Sequence, residues 1–163
     1  GAQRGYTVTY DVVALGYNYR MDEIRAAIGS VQLSRLDENN RLRRERYLQY
    51  IEELKGIEGI SIPFTEGDYG KPSYHLFPTM LSEARARPHL INHLRAKGVQ
   101  TSIHYPLIVD FSYHRKLEGA SSAGVPFSRL VSSTELTLPL YSSMSEKAVS
   151  YVAQSVREFL VGK

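Results

Sequence analysis

The chain has 163 residues, of which 42% are hydrophobic and 23% are charged, and this composition predicts a folded domain and excludes a disordered or fibrous chain. The net charge of +3 is too small to indicate nucleic-acid binding. Cysteine is absent, which excludes disulfides, zinc–cysteine sites and thiol nucleophiles. No apolar run is long enough to cross a membrane, and the first residues do not form a signal-peptide pattern. We therefore expect a cytoplasmic protein with neither membrane nor nucleic-acid partners.

A long helical pattern begins at Asp22, which is a suitable N-cap residue, and ends before Gly56. Its apolar residues recur near the helical period: Ile24, Ile28, Val31, Leu36, Tyr47, Ile51 and Leu54. A single helix over 22–55 would be about 50 Å long, whereas a lone domain of this size has a radius of gyration near 15 Å. Because the apolar spacing is not a strict heptad, we expect a spine shared by two domains rather than a coiled coil.

The rest of the chain alternates strand and helix patterns, which indicates an α/β fold. The patterns predict strands over 61–64, 73–81, 99–103 and 136–138, and helices over 88–97 and 127–135. Pro78 predicts that the second strand lies at a sheet edge or carries a bulge. Ser143 and Glu146 form a capping-box pattern that predicts the start of a final helix.

Two segments carry candidate binding residues. Asn18 and Arg20 precede the long helix, where they could hold a phosphate at the positive end of the helix dipole or serve only as a turn and cap. His104 and Tyr105 follow the predicted strand 99–103, and a strand end can aim hydrogen-bonding groups at a ligand. For the second segment a structural role and a binding role both remain open.

Other clusters are explained by ordinary structure. The arginines within 41–46 are interspersed with acids, which is typical of a solvated helix face with local ion pairs. His89 and His93 share a helix face but lack the glutamate of the zinc-protease motif, and we expect no metal site. The segment Gly119–Gly124 lacks the spacing of a nucleophile elbow and is predicted to be a loop within 118–125.

Several segments together resemble one known family. The similarity, in sequence and in order, is to the DegT/DnrJ/EryC1/StrS sugar aminotransferases. It covers the motif Gly16-Tyr-Asn-Tyr-Arg-Met21 and the helix after it, then Arg43–Tyr47, Ser73–Phe77, Leu94–Pro106 and Leu138–Tyr141. This resemblance implies a pyridoxal-phosphate (PLP) enzyme of the aspartate aminotransferase fold, of which this chain is the C-terminal part. Residues 1–21 would then lead in from the cofactor domain. Residues 22–163 would form the small α/β domain, with the interdomain helix 22–55 and a small sheet covered by helices.

The resemblance also implies roles for the candidate residues. Asn18 resembles an asparagine that reaches across a homodimer to the partner's cofactor phosphate, and Arg20 belongs to the same motif. His104 and Tyr105 resemble residues that line a sugar-nucleotide pocket, while Val109 stands where the family often has a second histidine.

The family's Schiff-base lysine lies upstream of this sequence, so the resemblance assigns no catalytic residue to the chain and implies that the chain alone is inactive. The expected reaction of the full-length parent is transfer of an amino group from glutamate to a keto-sugar nucleotide. The alternative is a stand-alone binding or regulatory module with the same domain shape.

Overall fold

A computed structural model describes residues 17, 19–65, 72–116 and 124–162. Asn18 and most of the predicted loop 118–125 lie outside the described residues. The elements, in chain order, are α1 (Glu23–Ser34), α2 (Leu36–Leu54), β1 (Ile60–Ser61), β2 (Phe77–Leu81), α3 (Ala86–Ala96), α4 (Pro126–Thr134), β3 (Glu135–Leu138) and α5 (Glu146–Val161), with 3-10 turns at Ile108–Asp110 and His114–Lys116. Among the described helices, none combines the length and the apolar character that crossing a bilayer requires.

The chain divides into two compact units, Gly1–Arg35 and Leu36–Lys163. In the first unit, the Asp22 carboxylate accepts a hydrogen bond from the backbone N–H of Arg25 at 2.8 Å, which confirms the predicted N-cap. The prediction of one helix over 22–55 is wrong, because α1 ends at Ser34 and α2 begins at Leu36. The Ser34 hydroxyl donates to the Val31 carbonyl, and such back-bonding competes with a regular helix at the break.

The strands form one antiparallel sheet in the order β1-β2-β3. β3 pairs with most of β2, from Phe77↔Leu138 to Met80↔Glu135. β1 is much shorter and reaches only the last two residues of β2, with Ser61 opposite Met80. The central strand β2 is therefore paired with a neighbouring strand on both edges only at its C-terminal end.

Pro78 lies in the middle strand of the three and the register with β3 has no bulge, so the prediction of an edge strand or a bulge is wrong for β2 as a whole. At Pro78 itself, however, the side of β2 that faces β1 is unpaired, and the register gives the reason. Pro78 is opposite Thr137, whose backbone N–H and C=O both bond to Ser102 on the other side of β3. The pair Pro78↔Thr137 therefore needs no backbone donor from Pro78. The backbone of Pro78 faces the side of β1, and β1 ends at Ser61 before it reaches this position.

The predicted strand over 99–103 is present only as a single antiparallel bridge between Ser102 and Thr137. Two residues further on, the backbone N–H of His104 donates to the side chain of Glu135 instead of to the backbone of β3. The backbone ladder therefore ends after one bridge. The candidate site described below forms where the Glu135 side chain takes the place of a backbone carbonyl as the acceptor for His104.

Helices α2, α3 and α5 bury the apolar side chains that support the sheet. Tyr50 is fully buried and stacks on Phe77 of β2 with ring centroids 4.6 Å apart, and its hydroxyl donates to the Pro139 carbonyl at 3.0 Å. The N-cap of α5 is Ser145, whose hydroxyl accepts from the Ala148 N–H, so the predicted capping box at Ser143 is wrong. Apolar residues of these helices and of the strands form one buried cluster, and the 99–104 segment meets β3 through the bridge at Ser102.

Candidate functional site

Strand β3 carries two polar side chains on one face, Glu135 and Thr137, because successive side chains of a strand alternate between faces. Both residues are buried. The antiparallel bridge at Thr137 brings Ser102 beside the strand, so His104, two residues later, lies next to Glu135. The site therefore forms where the end of an incomplete strand meets a core strand.

Glu135 is the most buried charged residue in the described chain, at 2% exposure. One carboxylate oxygen, Oε2, accepts the backbone N–H of His104 at 2.9 Å. The other, Oε1, accepts the hydroxyl of Thr137. Burial of a carboxylate is costly unless its oxygens are hydrogen-bonded, and here both oxygens have donors, so this side chain is fixed in position.

The imidazole of His104 contacts Thr137, the residue that bonds to Glu135. Its Nδ1 is 3.0 Å from the Thr137 hydroxyl oxygen and 3.4 Å from the Ser102 hydroxyl oxygen. The ring of Tyr105 meets the His104 ring edge-on, with centroids 4.8 Å apart, and Tyr105 is 67% exposed. The His104–Tyr105 peptide bond is cis. The structure thus places the two predicted substrate residues side by side, with the histidine anchored to β3 and the tyrosine open to solvent.

The chain after Tyr105 is tied to helix α4 by an ion pair. The Asp110 carboxylate receives both terminal nitrogens of Arg129, with Oδ2–Nη1 2.8 Å and Oδ1–Nη2 3.2 Å, and Arg115 lies 3.8 Å away. The hydrogen bond from Arg129 holds the pKa of Asp110 below its ordinary value. This clamp holds the 3-10 turn that follows the site.

The predicted cofactor residues lie in the first unit. Arg20 is exposed and precedes the N-cap of α1. Asn18 lies outside the described residues, so its position stays a prediction. Among the described lysines, Lys97 pairs with Glu158 at 2.7 Å, and that hydrogen bond raises the pKa of the lysine above its ordinary value. A raised pKa keeps Lys97 protonated, which is the opposite of what an amine nucleophile needs.

The alternative clusters have structural roles. Arg41 pairs with Glu38 and Glu45 within its own helix, as predicted for a solvated helix face. Nε2 of His93 lies 3.1 Å from the Ser155 carbonyl on α5. A carbonyl only accepts, so this ring nitrogen donates and is not available to a metal.

Sequence reasoning missed Glu135, Thr137 and Ser102. Glu135 fell at the end of a predicted helix, although it begins strand β3. The signal was present in the alternation Glu135-Leu-Thr137-Leu, which places two polar side chains on one face of a buried strand. That alternation did not reveal the partner, because the pairing with Ser102 spans 35 residues of the chain.

A groove of about 540 Å³ runs beside the site, between the segment from Gly98 to Ser102 and the segment from Pro139 to Tyr141. Its lining includes Ser102 but neither His104 nor Tyr105. The exposed Tyr105 and the half-buried His104 therefore do not line this groove, although Ser102 beside His104 does.

Comparison with known proteins agrees with this fold. The family model of the DegT/DnrJ/EryC1/StrS aminotransferases matches residues 1–157, and the chain belongs to this family. It is 32% identical to the spore coat polysaccharide biosynthesis protein SpsC of Bacillus subtilis, over 94% of the chain and 40% of that protein. It is 33% identical to the dTDP-3-amino-3,4,6-trideoxy-alpha-D-glucose transaminase of Streptomyces venezuelae, over 88% of the chain and 37% of that enzyme.

A crystal structure of DesV from S. venezuelae shares the fold with a TM-score of 0.83 and 28% identity, covering 97% of this chain and 42% of DesV. These matches confirm the predicted family and the predicted α/β fold class of a sugar aminotransferase domain. The chain spans about two fifths of the length of the proteins it matches.

Proposed function

We propose that the chain is the C-terminal domain of a PLP-dependent aminotransferase that transfers an amino group from glutamate to a keto-sugar nucleotide. The observation that carries the proposal is the unequal coverage: 94% of this chain aligns with only 40% of SpsC. A domain that matches the same fraction of several sugar aminotransferases is best explained as the corresponding part of such an enzyme. The full-length parent is then the active species, located in the cytoplasm, and the chain alone is inactive.

The geometry at His104 supports a substrate-binding role. The ring is anchored through Nδ1 to Thr137 at 3.0 Å, and Tyr105 beside it is largely exposed. An aromatic ring and an imidazole on an open surface can contact the base or the sugar of a nucleotide sugar once another domain closes the site. The adjacent groove offers further room beside Ser102.

The described residues fit PLP only in part. Arg20 carries a guanidinium that suits the phosphate group, and we propose that Arg20 and Asn18 contact this phosphate in the homodimer of the full-length enzyme. PLP itself supplies the electron sink for amino-group transfer. Lys97, engaged with Glu158, is unsuited to covalent attachment of the cofactor. We propose that the attachment lysine belongs to the upstream part of the parent.

The test compares two proteins: this chain and the product of the longer reading frame that contains it. Each is incubated with PLP, glutamate and a dTDP- or UDP-linked 4-keto sugar, and 2-oxoglutarate is measured. We expect turnover by the longer protein and none by the chain. In the longer protein, His104→Ala should raise KM for the nucleotide sugar by about tenfold, the effect of one lost hydrogen bond to substrate.

Two results would overturn the proposal. The first is turnover by the chain alone. The second is a reading frame that adds no upstream domain, combined with nucleotide-sugar binding and no turnover, which would establish the stand-alone binding module instead.

A further inference from the structure

The hydrogen bonds around His104 have a fixed direction. A hydroxyl has one proton, and the Thr137 hydroxyl gives its proton to Oε1 of Glu135. The same oxygen of Thr137 lies 3.0 Å from Nδ1 of His104. Since Thr137 has no second proton to donate, it can only accept from the ring, and this bond forms when Nδ1 carries hydrogen. The Ser102 hydroxyl oxygen, 3.4 Å from Nδ1, can accept from the same hydrogen.

The backbone reinforces this direction. Oε2 of Glu135 accepts the N–H of His104 at 2.9 Å, and a backbone N–H can never accept. Each carboxylate oxygen of Glu135 therefore has one donor. Oε2 holds the backbone of His104 directly, and Oε1 holds its ring through the Thr137 hydroxyl. Within the described residues, Nε2 of His104 has no hydrogen-bond partner.

We propose that Glu135 and Thr137 are positioning residues that hold neutral His104 as its Nδ1–H tautomer and present Nε2 as an acceptor for a hydroxyl of the sugar. The sugar as ligand rests on the proposed function, whereas the tautomer does not. A histidine side chain in water favours the Nε2–H form, in which Nε2 would be a donor. The carboxylate of Glu135, acting through Thr137, thus decides whether Nε2 of His104 accepts or donates.

One isosteric substitution should reverse the direction of the hydrogen bonds that run from His104 through Thr137 to Glu135. In Glu135→Gln the single carbonyl oxygen of the amide is required by the His104 N–H, which leaves the NH₂ group facing Thr137. The Thr137 oxygen then accepts from the amide and turns its own proton toward Nδ1. The ring must respond by carrying its hydrogen on Nε2, with almost no change in shape.

The experiment is two-bond ¹H–¹⁵N NMR of the histidine rings in the chain, at about pH 9 where an imidazole is neutral. His104 is assigned among the five histidines by the signal missing from His104→Gln. For the unmodified chain we expect a ratio of Nδ1–H to Nε2–H tautomer of about ten to one. This is the effect of one hydrogen bond that ends, through Thr137, at a charged acceptor. Glu135→Gln should invert the ratio, and Thr137→Val should move it toward the Nε2–H form.

Thr137→Ser is the matched control, because it keeps the hydroxyl and should keep the Nδ1–H form. A His104 that is mainly Nε2–H in the unmodified chain overturns the proposal, whether or not any variant folds. So does a ratio that stays unchanged in both Glu135→Gln and Thr137→Val, since a merely structural carboxylate would leave the ring tautomer alone. The measurement needs no substrate, so failure of the proposed function would leave its result intact.

Discussion

Asp110 and Arg129 form a two-pronged ion pair, with carboxylate–guanidinium distances of 2.8 and 3.2 Å, that joins the 3-10 turn after Tyr105 to helix α4. The pair fixes the loop that leaves the candidate site. Its geometry is more specific than that of a single contact, because both oxygens and both terminal nitrogens are engaged.

The stabilising effect of this pair should vanish in acid. Arg129 lowers the pKa of Asp110 in the folded chain, so the contribution is fully present above the unfolded pKa of about 3.9 and is lost as the pH falls through the folded value. Asp110→Asn should therefore lower the urea midpoint at neutral pH and have a smaller effect at about pH 2. Glu52→Gln, at a loose surface contact 4.0 Å from Lys55, is the control and should be neutral at both pH values. An Asp110→Asn effect of equal size at both pH values would show that the pair acts through packing instead of charge.

The buried hydrogen bond of Tyr50 should contribute to the stability of the domain. Its hydroxyl donates to Pro139 at 3.0 Å, and burial raises the pKa of the phenol, so the donor stays protonated in alkaline solution. Tyr50→Phe should cost about 1 kcal/mol of unfolding free energy, a fall in Tm of about 2–4 °C for a chain of this size. Tyr113→Phe, at a ring 70% exposed, should leave Tm unchanged. Equal Tm shifts in the two variants would contradict the assigned hydrogen bond.

The sequence predicted some of the features that depend on neighbouring residues and missed the partners that lie far apart in the chain. Asp22 as a cap and Gly98 after α3, with its φ of +73°, follow from local chemistry. The break at Arg35 was missed because the apolar period continues through it. His104 was found from its place after a strand pattern, but the carboxylate that holds it lies 31 residues away on β3. No local pattern reveals such a partner.

Helix α1 should promote self-association. All its residues are exposed, including Ile24 at 75% and Ile28 at 58%, and exposed apolar patches favour association. We expect light scattering to show dimers or larger species, and the double variant Ile24→Lys/Ile28→Lys to shift the mass toward the monomer. Phe127→Lys, at a residue 82% exposed on α4, is the control and should not change the mass. A clean monomer of the unmodified chain in concentrated solution would contradict the prediction.

Asn18 is tested in the full-length parent. If its amide donates to the cofactor phosphate across the homodimer, Asn18→Ala should weaken PLP binding by about tenfold to a hundredfold, the value of one bond to a charged acceptor. The Tm of the apo-enzyme should stay the same. The opposite pattern, a lower Tm with unchanged PLP affinity, would make Asn18 a capping residue.

The position of Pro78 limits how copies of this chain can associate. β1 stops at Ser61, so the first part of β2 has an open side, and open strand edges ordinarily recruit further strands. Here the open side carries a proline that has no N–H to offer, and Pro63 lies where a longer β1 would meet it, as the register shows. A backbone ladder cannot be extended across two prolines. Association through α1 should therefore yield assemblies of discrete size with unchanged β content, and this edge should not seed fibrils.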